Sequence, residues 1–172
     1  MQTAPAGAMQ HAIALLEKTP VLFETLLSEL PPELLQWKPA PDRWSISEVL
    51  AHLLDSEKVL SERAKRLVAE NSPALREYQQ PAGGYAQGCA PEHLALFRAI
   101  RRETLTFLKA IPAGAGARTG SHSVLGTITL AQMLNEWASH DLGHLRQIAE
   151  LYRAQAFHPY AGPFQRYSNP KP

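Results

Sequence analysis

The chain has 172 residues, 45% hydrophobic and 19% charged, with a formal net charge of +1. Such a chain suits one globular domain with a sizeable core, and its balance excludes a basic nucleic-acid surface or an acidic tail. One cysteine, Cys89, excludes an internal disulfide and a thiolate metal cluster. No apolar run approaches the length of a membrane span, and MQTAPAGAMQ lacks a basic stretch followed by an apolar one, so the expectation is a cytoplasmic protein without a membrane partner.

The first helix is expected over about residues 9–30, with Ile13, Leu16, Phe23, Leu26, Leu27 and Leu30 on its apolar face. Pro20 lies in its interior and predicts a kink near Thr19, and Pro31-Pro32 ends it. A proline-rich connection carrying Trp37 follows. Ser45 to Glu48, SISE, is a capping box that opens a second helix over 45–70. Val49, Leu53, Leu60 and Leu67 form its buried stripe, and His52 lies within that stripe. Asp55, Glu57, Lys58, Glu62 and Lys65 are read as its polar side.

Residues 71–90 read as loop, with NSP, PAGG, Tyr78, Tyr85 and Cys89. A connection this long inside a compact domain is often functional. A third helix is expected over 91–111 on Leu94, Phe97, Thr104, Leu108 and Ile111, with Arg98, Arg101, Arg102 and Glu103 solvated. His122 to Ile128 is a polar and β-branched approach, with no strand assigned. Thr129 to Gln132, TLAQ, is a second capping box, opening a fourth helix over 129–153. The remaining segment, 154–172, holds four prolines and the aromatics Phe157, Tyr160, Phe164 and Tyr167. It is expected as an ordered or partly ordered tail without further helix, with at least two of those rings packed on the bundle. Four amphipathic helices imply an all-α, antiparallel four-helix bundle in one domain, 1–172.

The fourth helix poses the functional question. Its stripe of Leu130, Met133, Leu134, Trp137, Leu145, Ile148 and Leu151 is interrupted by His140 and His144. At 100° per residue, Met133 and Leu151 lie within about 20° of His140, and His144 about 40° away. Residues at i and i+4 have Cβ atoms about 5–6 Å apart, so two imidazoles can converge on one ion. The spacing alone is weak, since a core histidine bonded to a carbonyl and a half-exposed neighbour give the same pattern. His52 adds a third imidazole on a helix that a bundle can place beside the fourth. Burying three unpartnered imidazoles would cost several kcal/mol, and a metal satisfies all three together. His11, His93, His122 and His158 lie elsewhere. Asp55 and Asp141 stand near the ligands as candidate orienting carboxylates or plain surface charges, and Cys89 reads either as a loop residue approaching the site or as a plain loop cysteine.

The pattern W-S-x-x-E-V-L-x-H-L (Trp44 to Leu53), then H-D-x-x-H-x-x-Q-I (His140 to Ile148), then LYR…GPFQR (Leu151 to Arg166) resembles the DinB-like superfamily of DinB/YfiT-type proteins. The resemblance covers nearly the whole chain. It implies an antiparallel four-helix bundle in which three histidines bind nickel, zinc or iron, and by position these are His52, His140 and His144. It also implies metal-dependent chemistry on a small-molecule substrate. Characterised members of that superfamily include transferases that use low-molecular-weight thiols such as bacillithiol, and a mycothiol-dependent isomerase. A related transferase or hydrolase, and a homodimer, follow as expectations. The alternative is a non-catalytic metal-binding stress-response bundle. DNA damage gave the superfamily its name, and no nucleic-acid partner is implied.

Overall fold

The computed structural model describes residues 7–82, 84–85 and 88–172; Gly83, within the PAGG run, lies outside them. Four long helices carry the fold: α1 (Ala8–Leu27), α3 (Ile46–Ala69), α4 (Ala90–Ala110) and α5 (Leu130–Tyr152), with a short α2 (Pro32–Gln36) between the first two. The expected four-helix bundle is therefore present. Both capping boxes form. Ser45 Oγ accepts from Glu48 N at 3.2 Å while Glu48 Oε2 accepts from Ser45 N at 2.7 Å. Thr129 and Gln132 repeat the exchange at 3.1 and 2.8 Å.

Two core clusters fix the helix directions. One joins Met9 and Leu16 of α1 to Leu67, Leu108 and Leu130. The other joins Phe23 and Leu27 to Ile46, Ala90 and Leu151. The start of α1 therefore shares an end with the start of α5 and with the last turns of α3 and α4. Two helices run each way, and α1 packs on α4 and α5, as α3 does. Neighbours α3 and α4 point the same way. The chain leaving α3 must travel back along the bundle to begin α4, which is the physical reason for the long connection.

Three expectations about the elements are corrected. First, a small sheet is present: β1 (Ala74–Leu75) pairs parallel with β2 (Thr119–His122), which pairs antiparallel with β3 (Gly126–Thr129). Strands of two and four residues are too short to show an alternation. Gly126, at φ +73°, closes the three-residue hairpin loop in the left-handed conformation, and His122 Nδ1 accepts from the Val124 and Leu125 amides within it. Second, α1 ends at Leu27, with Ser28 capping on Glu24 O, and residues of the proline-rich connection form α2. Third, helical turns continue off α5 through Arg153–Phe157, His158–Tyr160 and Gly162–Tyr167. Phe157, Tyr160, Phe164 and Tyr167 are 57 to 84% exposed; Phe157 meets the Tyr152 ring at 5.0 Å between centroids, and the expected packing of two rings on the bundle is not found. Proline at the first turns of the short helices there is tolerated because its missing N–H has no intrahelical partner. The tail is held by polar contacts: Arg153 to Ser168 Oγ, Lys171 N to Glu150, and Arg43 to Pro172 O.

A buried guanidinium sits at the centre. Arg101 of α4, expected on the solvated face, is 1% exposed. Its Nε and Nη2 donate to Glu57 of α3 at 2.9 and 2.6 Å. Its Nη1 donates to Asp141 of α5 at 2.8 Å and to Thr19 Oγ1 of α1 at 3.0 Å. Nη1 also reaches Leu16 O at 2.9 Å. That carbonyl lacks its usual helical partner because the residue four positions on is Pro20, which has no N–H. One side chain thus joins all four helices, and a proline vacates the acceptor that it uses. Burial pulls the Arg101 guanidinium down, and Asp141 and Glu57 more than reverse this, holding it charged. Burial pushes the Glu57 carboxyl above its ordinary range, against the bonds from Arg101.

Candidate metal centre

α3 and α5 lie side by side, and their buried faces bring His52, His140 and His144 together. His52 is buried and the other two are half-buried. His52 Nε2 lies 3.0 Å from His140 Nε2, and His144 Nε2 lies 3.2 Å from the same atom. All three potential ligand atoms lie within 4.8 Å of one another. Ligands bound to one zinc-like ion at about 2.0–2.1 Å, at a tetrahedral angle, stand about 3.3 Å apart. The two separations to His140 Nε2, 3.0 and 3.2 Å, are close to that spacing.

The donor set passes a second test. His144 Nδ1 lies 2.9 Å from Gln147 Oε1, an acceptor, so the ring carries its proton there and offers a lone pair at Nε2. His140 Nε2 bears at most one proton and can donate to only one of its two close neighbours. A cation among three imidazole nitrogens removes the mismatch, and the residues present fit a divalent ion. Burial, then the neighbouring imidazoles, lower the pKa of His52 to about 3. Burial and His144 lower His140 to about 4, with Asp141 pulling the other way. Burial also lowers His144, against its bond with Gln147. All three are held in the neutral form that a metal requires.

The walls come from further residues. Trp44 lies parallel to the His144 ring at 6.4 Å between centroids and contacts the His52 ring at 5.0 Å. Tyr85 Oη is 2.9 Å from His52 Nδ1. A cavity of about 240 Å³ borders His52 and His140, walled by Val59, Leu60 and Trp137 with Tyr78 and Glu136. On the other side, a groove of about 770 Å³ borders His140 and His144 and carries Arg43, Arg146 and Lys171.

The remaining candidates separate cleanly. Asp141 turns away from the ligands into the Arg101 network, so it is no orienting carboxylate for them. Asp55, which could have been a surface charge, accepts from Tyr78 Oη at 2.7 Å. Cys89 is exposed at the start of α4. Trp44 and Gln147 stand in the quoted motifs and Tyr85 in the long loop, but the sequence assigns none of them a role at the site. Gln147 had a signal, standing three residues after His144, one turn along the same face.

Fold and site together define a helical bundle with a candidate three-histidine metal centre. The chain belongs to the DinB superfamily, whose family model matches residues 15–148. A protein of Oceanobacillus iheyensis, named as a candidate metal-dependent hydrolase, is 25% identical over 139 residues, covering 79% of this chain and 81% of its own. The solved structure of YfiT from Bacillus subtilis, described as a probable metal-dependent hydrolase with an unusual four-helix bundle topology, superposes with a TM-score of 0.81 at 22% identity. That match covers 90% of this chain and 91% of YfiT, and it establishes the shared fold. Among the described residues, no helix is long and apolar enough to cross a membrane.

Proposed function

We propose that this protein is a divalent-metal-dependent enzyme acting on a small molecule, with His52, His140 and His144 as ligands. The observation that carries the reading is the convergence of three neutral Nε2 atoms beside a cavity. Three protein ligands leave at least one coordination position open. When bound, the ion supplies Lewis acidity and lowers the pKa of a coordinated water or thiol. Gln147 orients His144, Trp44 shields two of the rings, and Val59, Leu60 and Trp137 offer an apolar surface to substrate. The relatives' names favour hydrolysis, with water as the nucleophile. The wider resemblance favours transfer of a low-molecular-weight thiol to an electrophile. Nickel, zinc and iron all suit imidazole ligands. A cytoplasmic homodimer belongs to the same reading; the exposed Leu142, Phe157 and Tyr160 are surfaces that a second copy could cover.

The test is metal stoichiometry in untagged protein. One ion per chain is expected in the wild type and in His93→Ala and His158→Ala, with a sharp loss in His52→Ala, His140→Ala and His144→Ala. Equal content in all variants, or none in the wild type after incubation with zinc, nickel and ferrous iron, refutes the site and the enzyme with it. Turnover of ester, amide and electrophilic substrates by the loaded protein, with and without added thiol, then separates hydrolase from transferase; no turnover of either kind favours the non-catalytic bundle.

A further inference from the structure

The connection that returns from α3 to α4 passes a chain of hydroxyls to one of the ligands. Asp55 Oδ2 lies 2.7 Å from Tyr78 Oη, Tyr78 Oη is hydrogen-bonded to Tyr85 Oη, and Tyr85 Oη lies 2.9 Å from His52 Nδ1. Counting protons along it leaves one arrangement. The Asp55 carboxylate only accepts, so the Tyr78 hydroxyl donates to it. The Tyr78 oxygen, its single proton used, accepts from Tyr85. The Tyr85 oxygen, its proton used in turn, accepts from His52. The hydrogen of the neutral His52 ring therefore sits on Nδ1, and Nε2 presents a lone pair toward His140 at 3.0 Å. On α5, Gln147 achieves the same for His144 in a single step. Packing fixes the Tyr85 ring, which is buried and meets Trp44 edge-on at 5.5 Å between ring centroids.

We propose that Asp55, Tyr78 and Tyr85 are positioning residues of the metal centre: a relay that fixes the tautomer and ring orientation of His52, making the α3–α4 connection a working part of the site. The inference rests on the metal-centre reading. The opposite tautomer would aim an N–H into the ligand cluster and leave a lone pair on Nδ1; turning the Tyr85 hydroxyl alone to meet it leaves the two tyrosine oxygens facing with no hydrogen between them, and turning both sets the Tyr78 oxygen against a carboxylate. Asp55 acts through two tyrosines and touches no ligand. It lies on α3 three residues beyond His52, so the relay leaves the helix and returns to it one turn away.

The test has two readouts at pH 7.5. Long-range proton–nitrogen correlation spectra of metal-free, histidine-labelled protein distinguish protonated from bare ring nitrogens. The wild type is expected to show His52 with Nδ1 protonated and Nε2 bare. Zinc affinity, by competition with a chromophoric chelator, is expected to fall about 10–100-fold in Tyr85→Phe, the usual effect of losing an outer partner of a ligand. Tyr78→Phe should also weaken zinc and mix the tautomers. Asp55→Asn keeps an acceptor for Tyr78 and should retain most of the affinity, whereas Asp55→Leu should not. Tyr160→Phe is the surface control, and circular dichroism checks the fold of each variant. A wild-type His52 protonated at Nε2 overturns the relay, as does folded Tyr85→Phe with wild-type affinity and an unchanged tautomer. If wild-type protein binds no zinc, nickel or ferrous iron, the metal reading fails by itself, while the tautomer spectra still decide the relay.

Discussion

Replacing Arg101 by methionine tests the account of the core. The substitution keeps the length and apolar stem of the side chain and removes the guanidinium. Glu57 and Asp141, 0 and 1% exposed, then face one another without a counter-charge, and Leu16 O loses its partner. Removing one partner of a buried ion pair costs about 3–5 kcal/mol. For a chain of this size each kcal/mol moves the melting temperature by about 2–4 °C, so a fall of roughly 6–20 °C is expected in calorimetry at pH 7.5. Arg101→Lys should also lose stability, because one ammonium cannot serve acceptors on three other helices. The triple variant Glu57→Leu, Arg101→Met, Asp141→Leu removes all the charge together and should melt above the single Arg101→Met variant. A fall of less than about 1 kcal/mol in Arg101→Met, or a triple variant less stable than the single one, would refute the reasoning.

The pH dependence of the metal-free fold follows from the low pKa values of about 3 for His52 and about 4 for His140. Below about pH 6.5 the unfolded chain takes up protons that the folded chain refuses at His52, His140 and, in part, His144, so stability should decrease as pH is lowered through this range. Urea midpoints at pH 7.5, 6.5 and 5.5 should shift less in His52→Asn/His140→Asn, and equal slopes in the two proteins would count against it. In metal-loaded protein the ion competes with those protons, so occupancy should drop only at a pH below that of free histidine; ion release measured by dialysis checks this. Truncation after Phe157 removes exposed rings and polar tethers and should move the melting temperature by no more than about 2–4 °C. A larger drop in a thermal melt would mean that the tail supports the bundle.

Much of this architecture was legible. The capping boxes, the four apolar stripes and the histidines on two of them led directly to helices that form and to ligands that meet. The misread charges share one cause, the assumption that charge faces water. Arg101 lies four residues after Phe97 and three before Thr104, within the apolar stripe of α4. Glu57 follows Leu53 by four, and Asp141 follows Trp137 by four. One positive and two negative charges, each inside a buried stripe, were a readable sign of an internal network. The tyrosine relay was less accessible. Its members lie on a helix and on an irregular connection, and no periodicity relates Asp55, Tyr78 and Tyr85; only the unusual length of the connection marked the place. The sheet was hidden because strands of two and four residues are too short for an alternation to stand out, and the tail because its aromatic content argued for burial that its helical turns do not provide.

The placement of the three histidines has a polymer consequence. Two share one turn of α5, while the third lies 88 residues earlier in sequence, on α3. An ion held by all three would act as a removable cross-link between those helices. A fixed link across that span would deprive the unfolded chain of about 4.6 kcal/mol of entropy at 25 °C in the chain-closure estimate. The i, i+4 pair gives grip without closing any long loop; His52 alone converts an ion on one helix into a staple across the bundle.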